Sequence, residues 1–135
     1  MLVPYPKIQQ INKREYKLLE PISIALDKYG NFIFKPPFIY DGASIPGIFW
    51  TLIGSPFTGN YSRAAFVHDV LYATELFDRK TCDWIFLELM QQYGCNWLKR
   101  NIIWSAVKTF GWFVWNNHDK KEVEILKDKI IERIK

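Results

Sequence analysis

Short alternating runs of hydrophobic and polar residues fill the first forty positions of the chain. Residues 16–26 are rich in Leu and Ile, residues 27–31 carry the Asp, Gly and Asn that favour a turn, and residues 31–35 alternate around two phenylalanines. Two such runs on either side of a turn predict a β-hairpin. The Pro36-Pro37 pair ends the second run, because proline has no N–H to donate to a sheet.

Helical spacing replaces this alternation after residue 61. The apolar positions and the caps predict four helices, at residues 62–75, 79–93, 96–117 and 118–135. Asp78 suits the N-cap of the second helix, and Gly94 suits the C′ position that ends it. Asp119, followed three residues later by Glu122, is a capping box that starts the fourth helix.

The fourth predicted helix carries one apolar stripe, formed by Val123, Leu126, Ile130 and Ile134. A stripe of this kind is stable only when it is buried against another element. We therefore expect the amphipathic C-terminal helix to pack on the domain or on a partner.

A long loop separates the two patterns. Residues 41–61 hold four glycines and two prolines, and long loops inside compact domains tend to be functional. The length of 135 residues is that of one domain. We predict a single α+β domain, with a small N-terminal sheet in residues 1–40, a functional loop in 41–61, a three-helix core in 62–117 and an amphipathic helix in 118–135.

The composition excludes a disordered chain, because 49% of the residues are hydrophobic and 24% are charged. The net charge of +4 predicts mild attraction to anionic surfaces. Much of it lies in the tail, where lysines alternate with acids, a pattern typical of a solvated helix face rather than of a specific nucleic-acid surface. The aromatic share of 17% leaves room for an aromatic surface that faces lipid.

Neither the start of the chain nor any internal segment predicts export or membrane insertion. The first residues lack a basic start and a long apolar stretch, and the most apolar window, 102–115, is too short to cross a bilayer. Cys82 and Cys95 would lie at opposite ends of the second helix, roughly 20 Å apart, which excludes a disulfide. We expect a chain that is made in a reducing cytoplasm and is at first soluble there.

The first predicted helix is apolar nearly all round, yet it contains the adjacent polar pair His68-Asp69. Burying a polar group without a hydrogen-bond partner costs roughly 2–7 kcal/mol, so both side chains need partners. Adjacent residues on a helix point about 100° apart, so the two side chains must contact different groups.

Asp83 is the candidate partner of His68. It lies one turn into the second helix, which a short connection makes antiparallel to the first. An Asp that faces a His in the core fixes the imidazole tautomer and leaves the other ring nitrogen to act as a base. Tyr72, one turn after His68, either supports this network or is simple core packing. Arg79 is spaced for an i,i+4 salt bridge with Asp83.

Asp69 needs a cation, and the residues leave its identity open. Arg63 or Arg79 would give a structural ion pair. A bound metal would instead bring in Asp41, at the start of the glycine-rich loop. Two carboxylates with loop carbonyls and water form an all-oxygen set, which suits calcium. Asp41 and the residues after it would otherwise form an ordinary turn.

One set of motifs extends over most of the chain. It consists of Tyr40-Asp41-Gly42-Ala43-Ser44-Ile45-Pro46, Tyr61-Ser62-Arg63-Ala64-Ala65, His68-Asp69-Val70-Leu71-Tyr72, Arg79, Asp83 and Met90. The joint spacing resembles a phage-associated family, the domain of unknown function number 1353. This resemblance implies a bacteriophage or prophage origin and no particular activity.

The order of the motifs is similar, more distantly, to that of the small bacterial and fungal phospholipase A2 enzymes. The matching positions are Asp41 with Pro46, His68-Asp69 with Tyr72, Asp83, and residues 106–111. The resemblance implies two antiparallel phospholipase A2-like helices, with His68 as the base that activates water and Asp83 as the residue that orients it. It also implies that Asp41, Asp69 and the Gly42 carbonyl hold calcium, which stabilises the oxyanion.

Two functions follow from these resemblances. The first is a phage-encoded, calcium-dependent hydrolase of lipid acyl esters that acts at a phospholipid or membrane surface, with Phe49, Trp50 and Phe57 as loop anchors. The alternative is a non-enzymatic phage accessory or virion component, whose C-terminal helix contacts phage structural proteins. We expect either protein to be made in the host cytoplasm. The accessory or virion component would then also be associated with the virion. A metal peptidase or nucleotide phosphohydrolase has less support, because His118 is the only other histidine.

Overall fold

Short antiparallel strands precede the helices in the computed structural model, which describes residues 1–41 and 59–134. The strands before the helices are β1 (Ile8–Gln10), β2 (Tyr16–Leu18), β3 (Ile22–Ala25), β4 (Asn31–Phe34) and β5 (Ile39–Tyr40). The helices are α1 (Ser62–Thr74), α2 (Arg79–Gln92), α3 (Trp97–Asn116) and α4 (Lys120–Ile130), and strand β6 (Ile131–Ile134) follows them. The α+β class is confirmed, and most of the predicted loop, residues 42–58, lies outside the described residues.

The strands form two three-stranded antiparallel sheets, with the orders β1-β2-β5 and β3-β4-β6. Strands β3 and β4 pair from Ile22 with Phe34 to Ala25 with Asn31, so the predicted hairpin is confirmed. Its first arm is shorter than predicted, because β2 pairs with β1 and β5 in the other sheet. Pro21 separates β2 from β3, and its lack of an N–H explains why one strand does not continue through both.

The C-terminal helix is shorter than predicted. Helix α4 ends at Ile130, and the next four residues form β6, which pairs antiparallel with β4 from Phe34–Ile131 to Asn31–Ile134. Ile134 therefore does not belong to the apolar stripe of a helix. The physical reason is the open edge of β4, whose backbone groups gain partners from an extended segment, and isoleucine suits that conformation.

The rest of the stripe is buried within the domain. Val123 and Ile130 are buried, Leu126 is half-buried, and α4 packs against α1. Of the two positions that the sequence allows for this helix, the structure shows the one on the domain itself.

Helix α1 lies at the centre of the core. Ten of its thirteen residues are buried, which confirms that it is apolar and enclosed nearly all round. The ring of Phe66 contacts Phe34 of β4 at 6.3 Å and Tyr40 of β5 at 5.4 Å, measured between ring centroids. Because β4 and β5 belong to different sheets, this one side chain joins both sheets to α1.

Helices α1 and α2 are antiparallel, as predicted. Tyr72, near the end of α1, contacts Asp83 in α2, whereas His68, one turn earlier, also contacts Phe86, nearly one turn later in α2. The contacts thus advance in opposite directions along the two helices. Their connection is only the four residues 75–78, which brings the end of α1 beside the start of α2.

The helix ends follow the local signals. The Asp78 carboxylate accepts a hydrogen bond from the Thr81 N–H at 3.0 Å, and Gly94 has a φ of +78° after α2. The Asp119 carboxylate caps α4, as predicted, but it accepts from the Lys121 N–H at 2.9 Å and not from the Glu122 N–H that a capping box uses. Both cysteines are free and buried. In the part of the chain that the structure describes, no helix combines the length and apolar character needed to cross a membrane.

Candidate active site

His68 and Asp83 form a buried hydrogen bond between α1 and α2. The Nε2 atom of His68 lies 2.8 Å from Oδ1 of Asp83, and the two residues are only 1% and 4% exposed. An ionised carboxylate can only accept, so the proton of the neutral imidazole resides on Nε2 and the lone pair on Nδ1. The predicted pairing is confirmed, and it leaves the imidazole in the tautomer that a base requires.

Tyr72 belongs to the same network. Its hydroxyl donates to Oδ1 of Asp83 at 2.7 Å, and its ring lies 4.1 Å from the His68 ring. Burial, together with the Asp83 carboxylate, raises the pKa of Tyr72, so the phenol keeps its proton and remains a donor. Of the two roles that the sequence allows, the structure shows that of a phenol supporting the acid.

Arg79 completes the surroundings of Asp83. Its Nη1 atom lies 4.0 Å from Oδ2, one helical turn away in α2. One carboxylate oxygen thus accepts two hydrogen bonds, while the other faces a guanidinium. The predicted i,i+4 pair is confirmed, and the buried charge of Asp83 is compensated on both oxygens.

The apolar walls of the network keep His68 neutral. Its ring stacks on Phe86 with centroids 4.5 Å apart. Burial lowers the pKa of His68, and the hydrogen bond and charge of Asp83 oppose that change without reversing it. A neutral imidazole held by a carboxylate is the arrangement used for general-base chemistry.

Gly111 also belongs to this site, although the sequence places it only within the segment 106–111 of the distant resemblance and gives it no role there. A Cβ atom at this position would lie 2.6 Å from the Tyr72 hydroxyl, so α3 approaches Tyr72 closely because residue 111 has no side chain. The ring of Trp115, one turn later, meets the Tyr72 ring edge to face at 5.2 Å. The available signal is a glycine inside an apolar helix, which often marks close packing.

Asp41 and Asp69 line one small cavity. It has a volume of about 110 Å³ and is bounded by residues 38–41, Asp69, Tyr72, Ala73, Val114 and His118. The Asp69 carboxylate also lies close enough to Tyr40 and Tyr61 to add to the rise that burial causes in the pKa of both phenols. The two predicted carboxylates therefore share a cavity beside Tyr72. The third predicted metal ligand, Gly42, lies outside the described residues.

The two arginines proposed for Asp69 contact other groups. Arg63 donates to the Val3 carbonyl oxygen at 3.3 Å, and its guanidinium lies 3.6 Å from the centroid of the Tyr93 ring. Arg79 faces Asp83. Neither arginine lines the cavity of Asp41 and Asp69, and each contacts a different group.

The described residues supply only part of a metal site. Between residues 1–41 and 59–134, no group of three or more His, Cys, Asp or Glu side chains is placed to hold a metal ion. Asp41 and Asp69 provide the hard oxygen ligands that calcium prefers, but calcium takes about six to eight oxygens. Calcium binding therefore remains a prediction.

His118 lies in the same cavity, although it is far from the motifs in sequence. The turn after α3 brings it there, and its Nδ1 atom lies 3.4 Å from Oε1 of Glu75. Lys120 donates to Oε2 of the same glutamate at 2.8 Å. No local pattern in the sequence predicts this position, because it depends on how α3 and α4 fold back on α1.

The comparison with known proteins gives a family but no activity. The family model described as "Protein of unknown function (DUF1353)" matches residues 16–107. Two proteins of Sinorhizobium fredii (strain NBRC 101917 / NGR234) are similar over 71 residues, which is 53% of this chain. Uncharacterized protein y4jT is 37% identical over 21% of its own length, and Uncharacterized protein y4iH is 34% identical over 30% of its length. The chain thus spans less than a third of these relatives, and no solved structure matches it.

Proposed function

For this chain, which belongs to the DUF1353 family of proteins of unknown function, we propose a calcium-dependent hydrolase that cleaves an acyl ester of a phospholipid. The observation that carries the proposal is the His68–Asp83–Tyr72 network beside a cavity lined by Asp41 and Asp69. It unites a held imidazole with a pair of carboxylates, the two groups that the distant resemblance to phospholipase A2 enzymes implies.

In this proposal His68 is the general base. Nδ1 takes a proton from a water molecule while the water oxygen attacks the ester carbonyl carbon. Asp83 holds the imidazole in the required tautomer and stabilises the imidazolium that forms, and Tyr72 fixes the carboxylate. The proton then passes to the leaving alkoxide, which yields a free fatty acid and an alcohol.

Asp41 and Asp69 would hold the calcium ion, together with the Gly42 carbonyl. The fit rests on the donor set, since the cavity contains two carboxylates and no thiol, and hard oxygen ligands suit calcium. When bound, calcium would stabilise negative charge that develops on the ester carbonyl oxygen.

The partner and location of the chain follow from the same proposal. The substrate surface would be a phospholipid membrane, for which the exposed rings of Trp112 and Phe113 on α3 and the net positive charge are suitable. The resemblance to a phage-associated family supports synthesis in the cytoplasm of a bacterial host.

The test is release of fatty acid from mixed phospholipid vesicles with and without calcium. We expect release from the parent only when calcium is present, and a loss of about 10²-fold or more in His68→Gln, which removes the base. Asp69→Asn should abolish both release and calcium binding. Asp128→Asn, which makes the same change as Asp69→Asn at an exposed position of α4 outside the cavity, should retain activity. Absence of release, together with absence of calcium binding that Asp69→Asn removes, would contradict the proposal.

A second candidate function is a non-enzymatic phage accessory or virion component that keeps this scaffold. The observation in its favour is the enclosure of His68, which is 1% exposed and stacked on Phe86. In that case the network is an internal strut. His68→Gln would then lower the unfolding temperature, while the parent would release no fatty acid at any calcium concentration.

A further inference from the structure

A second cavity lies on the other side of Asp83, between the start of α2 and the middle of α3. Its volume is about 200 Å³, and it is lined by Arg79, Lys80, Asp83, Trp84, Trp104 and Lys108. It shares no lining residue with the cavity of Asp41 and Asp69. The proposed hydrolase does not use it.

The cavity is strongly cationic. Three positive side chains face one carboxylate, and that carboxylate already accepts from His68 and Tyr72 inside the core. Within the described part of the chain, Lys80 and Lys108 form no ion pair. Helix α3 adds to the excess, since it contains three basic residues and no Asp or Glu. A pocket with this charge favours an anion.

One wall of the cavity is aromatic. The rings of Trp84 and Trp104 lie 5.5 Å apart, and Trp84 is 51% exposed although it is large and apolar. The Lys108 ammonium lies 4.4 Å from the centroid of the Trp104 ring. Trp104 also has a buried indole N–H that finds no acceptor among residues 1–41 and 59–134. That nitrogen has almost no accessible surface, so the Trp104 ring, and not its N–H, is what lines the cavity.

The size and chemistry together define a ligand class. One water molecule needs only about 10–15 Å³ on this measure of volume, so the cavity has room for a polyatomic group. A guanidinium fork with two ammonium groups suits the several oxygens and the double charge of a phosphate better than a single carboxylate. The indole rings suit an apolar substituent on that phosphate.

We propose that the cavity between Arg79, Lys108 and the Trp84–Trp104 pair binds a phosphate ester. The phosphate contacts Arg79, Lys80 and Lys108, and the carbon substituent lies against the two indole rings. The same chemistry occurs in soluble phosphate esters and in the headgroups of phosphate monoester lipids, so the experiment includes both sources.

The soluble arm is titration calorimetry with phenyl phosphate, repeated with inorganic phosphate and with phenol. We expect saturable binding of phenyl phosphate, tighter than that of either half alone. Lys108→Gln and Lys80→Gln should each weaken it roughly tenfold, the usual effect of losing one charge-assisted hydrogen bond. The indole N–H resonance of Trp104 should shift on binding. Lys121→Gln, on the distant helix α4, and Trp97→Phe, an exposed tryptophan of α3 outside the cavity, should change nothing.

The lipid arm is co-sedimentation with phosphatidylcholine vesicles that do or do not contain phosphatidic acid. Binding that needs phosphatidic acid and falls in Lys108→Gln assigns the site to lipid headgroups, and calorimetric binding without it assigns the site to soluble esters. All measurements are made without calcium and repeated with His68→Gln, so failure of the proposed hydrolase leaves the result intact. No saturable binding in either arm, or binding that Lys80→Gln and Lys108→Gln leave unchanged, would overturn the proposal.

Discussion

The hydroxyl of Tyr72 occupies the space that a side chain at Gly111 would fill. A Cβ atom at residue 111 would lie 2.6 Å from that oxygen, and the next nearest ring atom of Tyr72 is 3.2 Å away. The same oxygen donates to Asp83 at 2.7 Å. The close approach of α3 to α1 and the hydrogen bond that orients Asp83 therefore both depend on the absence of a side chain at residue 111.

Gly111→Ala should destabilise the protein. Inside a helix this change ordinarily stabilises by about 0.5–1 kcal/mol, because alanine has the higher helix propensity. Here the new methyl group displaces the Tyr72 hydroxyl from a buried carboxylate, and an unsatisfied buried group costs about 1–3 kcal/mol. We expect a net loss of about 1–2 kcal/mol in the free energy of unfolding, measured by urea denaturation.

The double-mutant cycle with Tyr72→Phe isolates the contact. Without the hydroxyl, the nearest ring atom lies 3.2 Å from the new Cβ atom, a tight contact that a shift of a few tenths of an ångström relieves, so Gly111→Ala should cost at least about 1 kcal/mol less in that background. A Gly111→Ala protein as stable as the parent, with no coupling to Tyr72→Phe, would contradict the explanation.

Asp83→Ala should be among the most damaging single changes. It leaves the buried His68 Nε2–H and the Tyr72 hydroxyl without their acceptor, at about 1–3 kcal/mol each. We expect a loss of about 3–5 kcal/mol in the free energy of unfolding. Asp83→Asn keeps one acceptor oxygen and should lose less than half as much. Equal losses for the two variants would show that the charge, and not the acceptor, is what the network needs.

The sequence predicts best what local chemistry decides. Asp78 and Gly94 mark the ends of α2 because an N-cap and a left-handed C′ position depend only on neighbouring residues. The His68–Asp83 pair was also predictable, since the helices are consecutive, joined by a short connection, and carry these polar residues on otherwise apolar faces.

Features that depend on distant parts of the chain were not predictable in this way. Residues 131–134 continue the helical spacing of α4, yet they form a strand because the edge of β4, about a hundred positions earlier, is open beside them. Similarly, His118 reaches the Asp41–Asp69 cavity only through the packing of α3 and α4. Periodicity reports which face of an element is apolar, and it does not report which partner covers it.

Stability should fall as the pH drops below about 6.5, in a manner that depends on His68. Burial lowers the pKa of His68 in the folded protein, whereas the unfolded value is about 6.5. Between these two values the unfolded chain binds more protons than the folded one, so the free energy of unfolding rises with pH across this window and decreases on acidification.

The measurement uses a His118→Gln background, in which His68 is the one remaining histidine. We expect the free energy of unfolding to decrease between pH 7 and pH 5 there, and the slope to flatten when His68→Gln is added. The imidazole proton resonance of His68 should titrate below 6.5. Titration above that value would show that Asp83 holds an imidazolium, and the slope would then have the opposite sign.

Glu132→Pro should destabilise the C-terminal strand without disturbing α4. Residue 132 pairs with Ile33 in β4, and proline has no N–H to contribute to that ladder. Its partner Ile33 is half-buried, and a backbone group left there without its hydrogen bond costs about 1–3 kcal/mol, so we expect a decrease of this size in the free energy of unfolding. Amide exchange at Ile33 and its neighbours in β4 should accelerate.

The matched variant Glu132→Ala removes only an exposed ion pair with Lys35 and should cost less than about 1 kcal/mol. If residues 131–134 were instead a continuation of the helix, the proline would affect exchange in α4 and leave that in β4 unchanged.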